Sequence, residues 1–189
     1  MPQVIDKVRR IIVIDDNEAI HEDFRKILSS NAESEQLNDD EAFLFGEVEK
    51  AESHENQTYE LDSAMQGQDG LELVRQAVAE GRPYGVAFVD MRMPPGWDGV
   101  KTIEHLWQVD PELQVVICTA YSDYSWKETI DRLGLSDQLL ILKKPFDVAE
   151  VAQLAAALTR KREMQRQLKG RVDQLEEAAR HRYAPQERR

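Results

Sequence analysis

The chain is predicted to be a doubly wound α/β domain on a five-stranded parallel sheet, and three observations predict it. First, the runs "RIIVID" at 10–15, "YGVAFVD" at 84–90 and "LQVVICTA" at 113–120 are short, β-branched-rich and continuously apolar. Continuous rather than alternating apolarity marks strands buried on both faces, as in a parallel sheet. Second, helix-like segments lie between the strand-like ones, so that strand and helix alternate five times, the rhythm of right-handed crossovers onto one sheet. Third, each apolar run gives way to a polar residue, and in an open parallel sheet ligands sit beyond the carboxyl ends of the strands.

The elements follow in order. "RIIVID" is the first strand and a helix covers roughly 18–29; "YELDSA" at 59–64 is a weaker second strand, followed by a helix over 67–80. "YGVAFVD" precedes a helix over 98–109, "LQVVICTA" one over 123–133, and the fifth strand, "QLLILKKP" at 138–145, stops at a proline before a helix that begins at 147. Residues 30–58 break the rhythm: "SNAESEQLNDDEAFLFGEVEKAESHENQT" is acidic and polar, and too long for an ordinary helix-to-strand loop. It is expected to be a solvated surface insertion, the alternative being a partner-binding arm anchored by Phe43, Leu44 and Phe45.

Composition narrows the function. The 189 residues are 41% hydrophobic and 32% charged, which suits one domain plus an appendage. The net charge is −12 overall, but ten Lys/Arg against five Asp/Glu fall after Leu158, leaving 14 against 31 in the body, a net of −17. Such a body argues against nucleic-acid binding, which rests on cations neutralising phosphates. Cys118 is the only cysteine, so no intramolecular disulfide and no cysteine-based zinc site can form, and its apolar setting predicts an inert core thiol. No run of about 18 apolar residues and no signal peptide is visible, so a soluble, cytoplasmic protein without membrane insertion is expected.

The polar residues at the strand ends are Asp15 and Asp16 after the first strand, Asp90 after the third, Thr119 after the fourth and Lys144 after the fifth. Three carboxylates in a partly dry pocket repel one another unless a cation sits among them, and hard oxygen ligands select Mg²⁺ or Mn²⁺. Lys144 adds a fixed positive charge and Thr119 a hydroxyl donor, the set that the equatorial oxygens of a phosphoryl group require. An aspartate can itself attack phosphorus and carry the phosphate covalently.

Taken together, "IIVIDDN", "FVDMRMP", "ICTA" and "LKKPF" match in order and spacing the signature of the receiver domain of bacterial two-component response regulators. The resemblance covers about residues 9–158, less the insertion, and four linked motifs are far more specific than any one alone. It implies a flavodoxin-like receiver fold over 1–158, with Asp90 as phospho-acceptor. It further implies Asp16, Asp90 and the backbone carbonyl of Arg92 as direct metal ligands, Asp15 acting through water, and Thr119 and Lys144 contacting the phosphoryl group. The implied partner is a histidine kinase or phosphotransfer protein, and the only catalysis is self-phosphorylation and self-dephosphorylation. The family resembled usually has one residue fewer between its Met-Pro and Asp-Gly; here "PPGW" lengthens the loop, with Trp97 as a possible cover for the pocket mouth. Its aromatic switch position is Ile141 here, with Tyr121 a conceivable substitute.

Two rival functions follow from the same residues. A haloacid dehalogenase-like aspartyl phosphatase needs a second aspartate two residues after the nucleophile, where this chain has Arg92. A degenerate receiver acting only as a binding module would have lost one of the five polar positions, and all five are present. His21 and His105 lack a second ligand at metal spacing and are expected to be packed or solvated imidazoles, while Trp107 and Trp126 are helix packing or partner surface. As a partly exposed ammonium, Lys144 is expected to contribute little to stability.

From about Asp147 to Ala179 the chain reads as one long helix, packing on the sheet through Val148, Val151, Ala152, Ala155 and Leu158. Positions 151, 154, 158, 161, 165, 168, 172, 175 and 179 alternate steps of three and four, a heptad seam with a polar stretch at Lys161 and Gln165. Residues 159–189 are therefore expected to form a coiled-coil extension that makes a parallel homodimer and leads to a further output domain, the chain being a fragment of a longer protein.

Overall fold

The computed structural model describes residues 9–29, 59–120, 126–134 and 136–183; the 30–58 insertion and Tyr121 lie outside them. The five strands are β1 (Arg9–Ile14), β2 (Tyr59–Ala64), β3 (Val86–Asp90), β4 (Gln114–Thr119) and β5 (Leu139–Lys143). All pair in parallel, in the order β2-β1-β3-β4-β5. The helices are α1 over 18–29, α2 (Gly67–Ala79), α3 (Gly99–Val109), α4 (Trp126–Leu133) and α5 (Val148–Tyr183). The doubly wound five-stranded α/β fold expected from the sequence is the one observed.

The continuous apolar runs have a direct explanation in the two-residue period of a strand. Ile12 and Ile14 of β1, Ala87 and Val89 of β3, and Val115 and Ile117 of β4 point to one face, where Leu71 and Val74 of α2 and Ile103 and Leu106 of α3 cover them. Their neighbours Ile11, Val13, Val86, Phe88, Val116 and Cys118 point to the other face, under Phe24 and Ile27 of α1 and Val151, Ala155 and Leu158 of α5. Neither face of the central strands meets water, so neither parity can be polar. The chain turns polar only where the strands run out.

Side-chain caps set the starts of α1 and α3. Asn17 caps α1, its Oδ1 accepting the Ala19 amide at 3.0 Å, and Asp98 caps α3, accepting the Lys101 amide at 2.7 Å. α5 runs 36 residues without interruption, crossing residue 158, where the sequence suggests an extension begins. It keeps contact with the body well beyond that point. Lys161 donates to Asp137 at 2.9 Å, Gln114 to Gln165 at 3.3 Å, and Lys169 to Glu112 at 3.0 Å. Arg162 makes a buried two-pronged pair with Asp110 at 2.7 and 2.9 Å. Within the seam Leu168, Val172 and Leu175 are more than half exposed, at 60%, 51% and 71%; Met164 outside it and Val148 at the helix start, expected from the sequence to pack on the sheet, are exposed too.

Candidate functional site

The five expected polar residues meet at the carboxyl edge of the sheet. Asp15 follows β1 and is buried; its amide donates to the Ala64 carbonyl at 3.1 Å, which fastens it to the end of β2. Its Oδ1 accepts the Asn17 amide at 2.9 Å and its carbonyl accepts a hydrogen bond from His21 Nε2 at 2.8 Å. Asp16 points to solvent. Asp90 is the last residue of β3, 7% exposed, and accepts the Arg92 amide at 3.1 Å. Lys144, just after β5, bridges the two buried carboxylates, with Nζ 2.7 Å from Asp15 Oδ2 and 2.7 Å from Asp90 Oδ1.

The electrostatics follow from burial. Loss of water is the main reason the Asp90 carboxyl lies above the ordinary carboxylate range, and the Asp15 charge pushes the same way, against the Lys144 ammonium and the Arg92 amide. For Lys144 burial is the largest single influence and opposes its charge, but the bonds to Asp15 and Asp90 together outweigh it and raise the ammonium above its usual value. Burial pushes the Cys118 thiol far up, as an inert core thiol requires.

Ligand oxygens of Asp15, Asp16 and Asp90 can lie within 4.8 Å of one another. One ammonium against three carboxylates leaves an excess negative charge in a half-dry pocket. The donor set therefore fits a hard divalent cation such as Mg²⁺.

Backbone geometry is tight around Asp90. The Met91 amide donates to Cys118 O and the Gly99 amide to Met91 O, both at 3.0 Å, so the segment after Asp90 folds tightly onto the start of α3. A Cβ at Gly99 would sit 2.5 Å from the Asp90 carbonyl oxygen. "DG" at 98–99 thus combines a helix cap with a residue that must lack a side chain, a signal the sequence offers but whose second half shows only in three dimensions. Arg92 enters the site through its amide; the sequence resemblance assigns its carbonyl to the metal.

Two side chains of this region make contacts of their own. The Trp97 ring packs on His105 of α3 at 4.2 Å between centroids, with Lys101 Nζ 5.1 Å from the ring centre. The Thr119 hydroxyl donates to the Ala120 carbonyl at 3.0 Å, and its own carbonyl accepts the Lys144 amide at 2.9 Å. Ile141 is 38% exposed on β5. Trp107 donates to the Leu113 carbonyl at 3.0 Å, as a helix-packing residue does. His21 is the residue whose part is missing from the sequence pattern, since it acts on a backbone carbonyl.

Comparison with known proteins agrees with this fold. A family model described as the response regulator receiver domain matches residues 39–156, a span that holds Asp90, Thr119 and Lys144 and opens after Asp15 and Asp16. Sporulation initiation phosphotransferase F of Bacillus subtilis (strain 168) is 29% identical over 108 residues, 57% of this chain and 76% of that protein. Among solved structures, an adenylate cyclase from Rhodopirellula baltica superposes with a TM-score of 0.63 at 17% identity, covering 88% of this chain and 98% of that one. A CheY-like receiver domain protein from Methanospirillum hungatei JF-1 gives a TM-score of 0.57 at 18% identity, covering 84% and 98%. At such identities what is shared is the fold.

Proposed function

Because this chain belongs to the response regulator receiver domain family, a family of phosphorelay signalling modules, we propose that Asp90 accepts a phosphoryl group and that α5 carries the resulting signal outward. The observation that supports this most is the Lys144 ammonium at 2.7 Å from both buried carboxylates, with Asp16 beside them. In the proposed transfer an Asp90 carboxylate oxygen forms a bond to phosphorus while the bond from phosphorus to the donor's histidine nitrogen breaks. The imidazole leaves with the electron pair and takes up a proton. The donor is a histidine kinase or phosphotransfer protein.

Asp16, Asp90 and the Arg92 carbonyl would hold Mg²⁺ directly and Asp15 through water; when bound, the ion supplies charge neutralisation for the incoming phosphoryl oxygens. Lys144 releases one carboxylate contact to hold a phosphoryl oxygen, a charge-assisted bond. Thr119 turns its hydroxyl from the Ala120 carbonyl to another oxygen. Apart from this self-catalysed gain and loss of phosphate the chain is not an enzyme.

For the output, Leu168, Val172 and Leu175 form an exposed apolar stripe at heptad spacing, which suits a parallel two-stranded coiled coil. In that register Gly170 faces outward, and Arg171 of one chain faces Glu176 of the other, an oppositely charged flanking pair. No helix among the described residues is long and apolar enough to cross a membrane, in keeping with a cytoplasmic location. The test is direct. Acetyl phosphate with Mg²⁺ should add one phosphoryl mass to the chain, while Asp90→Asn or EDTA should prevent it. Unchanged labelling of Asp90→Asn would overturn the assignment.

A further inference from the structure

His21 is 1% exposed on the inner face of α1. The cap at Asn17 turns the chain at once into α1, which brings His21 back over Asp15, and Nε2 lies 2.8 Å from the Asp15 carbonyl oxygen. A carbonyl only accepts, so Nε2 carries the hydrogen. The other ring nitrogen, Nδ1, is buried and has no hydrogen-bond partner among the described residues. An apolar side chain would fill the same volume without leaving a buried nitrogen unpaired, so packing alone does not account for an imidazole here. What the imidazole adds is the hydrogen bond to Asp15.

The Asp15 carbonyl and the Asp16 amide belong to one planar peptide unit. Holding the carbonyl fixes that plane and with it the direction in which the exposed Asp16 leaves the chain. The Asp15 side chain is already held by Asn17 and Lys144 and its amide by Ala64. His21 supplies the remaining restraint, on the side facing Asp16.

We propose that His21 is a positioning residue for the metal site, aiming Asp16 through the Asp15 carbonyl. This rests on the metal-dependent reading of the site given above. Outer partners that orient ligands typically change metal affinity by about 10–100-fold when removed.

The probe is Mn²⁺ alone, with free ion counted by electron paramagnetic resonance, on the full chain. His21→Leu keeps an apolar filling and loses the donor; His21→Gln keeps an N–H at similar reach. His21→Leu should bind Mn²⁺ about 10-fold more weakly yet accept phosphate from acetyl phosphate at the parent's rate once metal is saturating, and His21→Gln should restore most of the affinity. Leu binding Mn²⁺ as tightly as the parent, or Gln binding as weakly as Leu, overturns the role. If the Leu variant does not fold, His21→Met takes its place with the same expectations. A parent chain that binds no Mn²⁺ overturns the metal reading itself and this role with it.

Discussion

Replacing Arg162 by alanine should cost the folded state about 3 kcal/mol, at the lower end of the range for breaking a buried ion pair by removing one partner. Arg162 and Asp110 are each 5% exposed, and the guanidinium grips both carboxylate oxygens at 2.7 and 2.9 Å while its other arm holds Glu112 at 2.9 Å. In the variant Asp110 stays behind without its cation. The lower end applies because Asp110 Oδ1 keeps the Glu112 amide, at 3.2 Å. In urea, with an m-value of about 2 kcal/mol/M, the midpoint should fall by about 1.5 M with the slope unchanged. Removing both charges together, as Arg162→Met with Asp110→Leu, should recover most of the loss, since apolar replacement of a buried pair is often neutral or better. Phosphorylation at Asp90 should survive, because Asp110 precedes β4 and so lies at the opposite end of the sheet. A midpoint shift below about 0.5 M, or a double variant no better than the single one, would refute the reasoning.

Three further outcomes follow from the same structure. Without metal, Asp90→Asn should raise the melting temperature at pH 7: burial raises the Asp90 carboxyl in the folded state, so the folded chain binds the proton more tightly and loses stability as pH rises from the ordinary carboxylate range through the folded value. The gap should close in acid, and equal melting temperatures at pH 7 would contradict it. Lys144→Ala should lower stability in EDTA, contrary to the small effect expected from sequence, because two buried carboxylates lose their shared cation; the raised Lys144 value means this stabilisation is fully present at neutral pH and disappears only as pH rises through that value. Thermal unfolding with and without Mg²⁺ checks it, and an unchanged melting temperature in EDTA would count against it. Finally, light scattering should give a dimer for the whole chain and a monomer for one ending at Gly170, a cut that spares the Arg162 and Lys169 contacts; equal masses per chain would remove the coiled coil.

Much of this was legible because strand ends in a parallel sheet expose their chemistry in sequence. A buried run must be apolar at every position, so the first polar residue after it, Asp15, Asp90 or Thr119, announces both the end of the strand and the edge where the site lies. Interactions that pass through the backbone leave no such mark. His21 reaches a carbonyl, so the search for a second side-chain ligand at metal spacing finds nothing. Gly99 is needed for its missing Cβ against the Asp90 carbonyl, and a helix cap alone would not predict that. The charge of Lys144 is plain in sequence, but its effect on stability depends on whether one or two carboxylates share it, and that is a matter of distance.

α5 shows a different kind of ambiguity. A helix that packs on its own sheet and a helix that packs on a partner both need apolar residues at steps of three and four, so one seam can hide two surfaces. The structure divides it: Val151 and Leu158 are buried in the sheet core, Lys161 and Gln165 bond to Asp137 and Gln114, and only from Leu168 does the stripe face outward. The polar stretch that looks like a flaw in a coiled coil is thus the place where the helix is fastened to its body. On the proposed function this arrangement has a mechanical consequence. α5 starts four residues after Lys144, which must shift its grip when Asp90 carries phosphate, and the Arg162 pair fastens the helix to the far end of the sheet, about 21 Å along its axis at 1.5 Å per residue. A rod held at that second point can transmit a movement of its first turn to Leu168 and beyond as a change of angle or register. A rod released there would let the movement dissipate before it reached the exposed stripe.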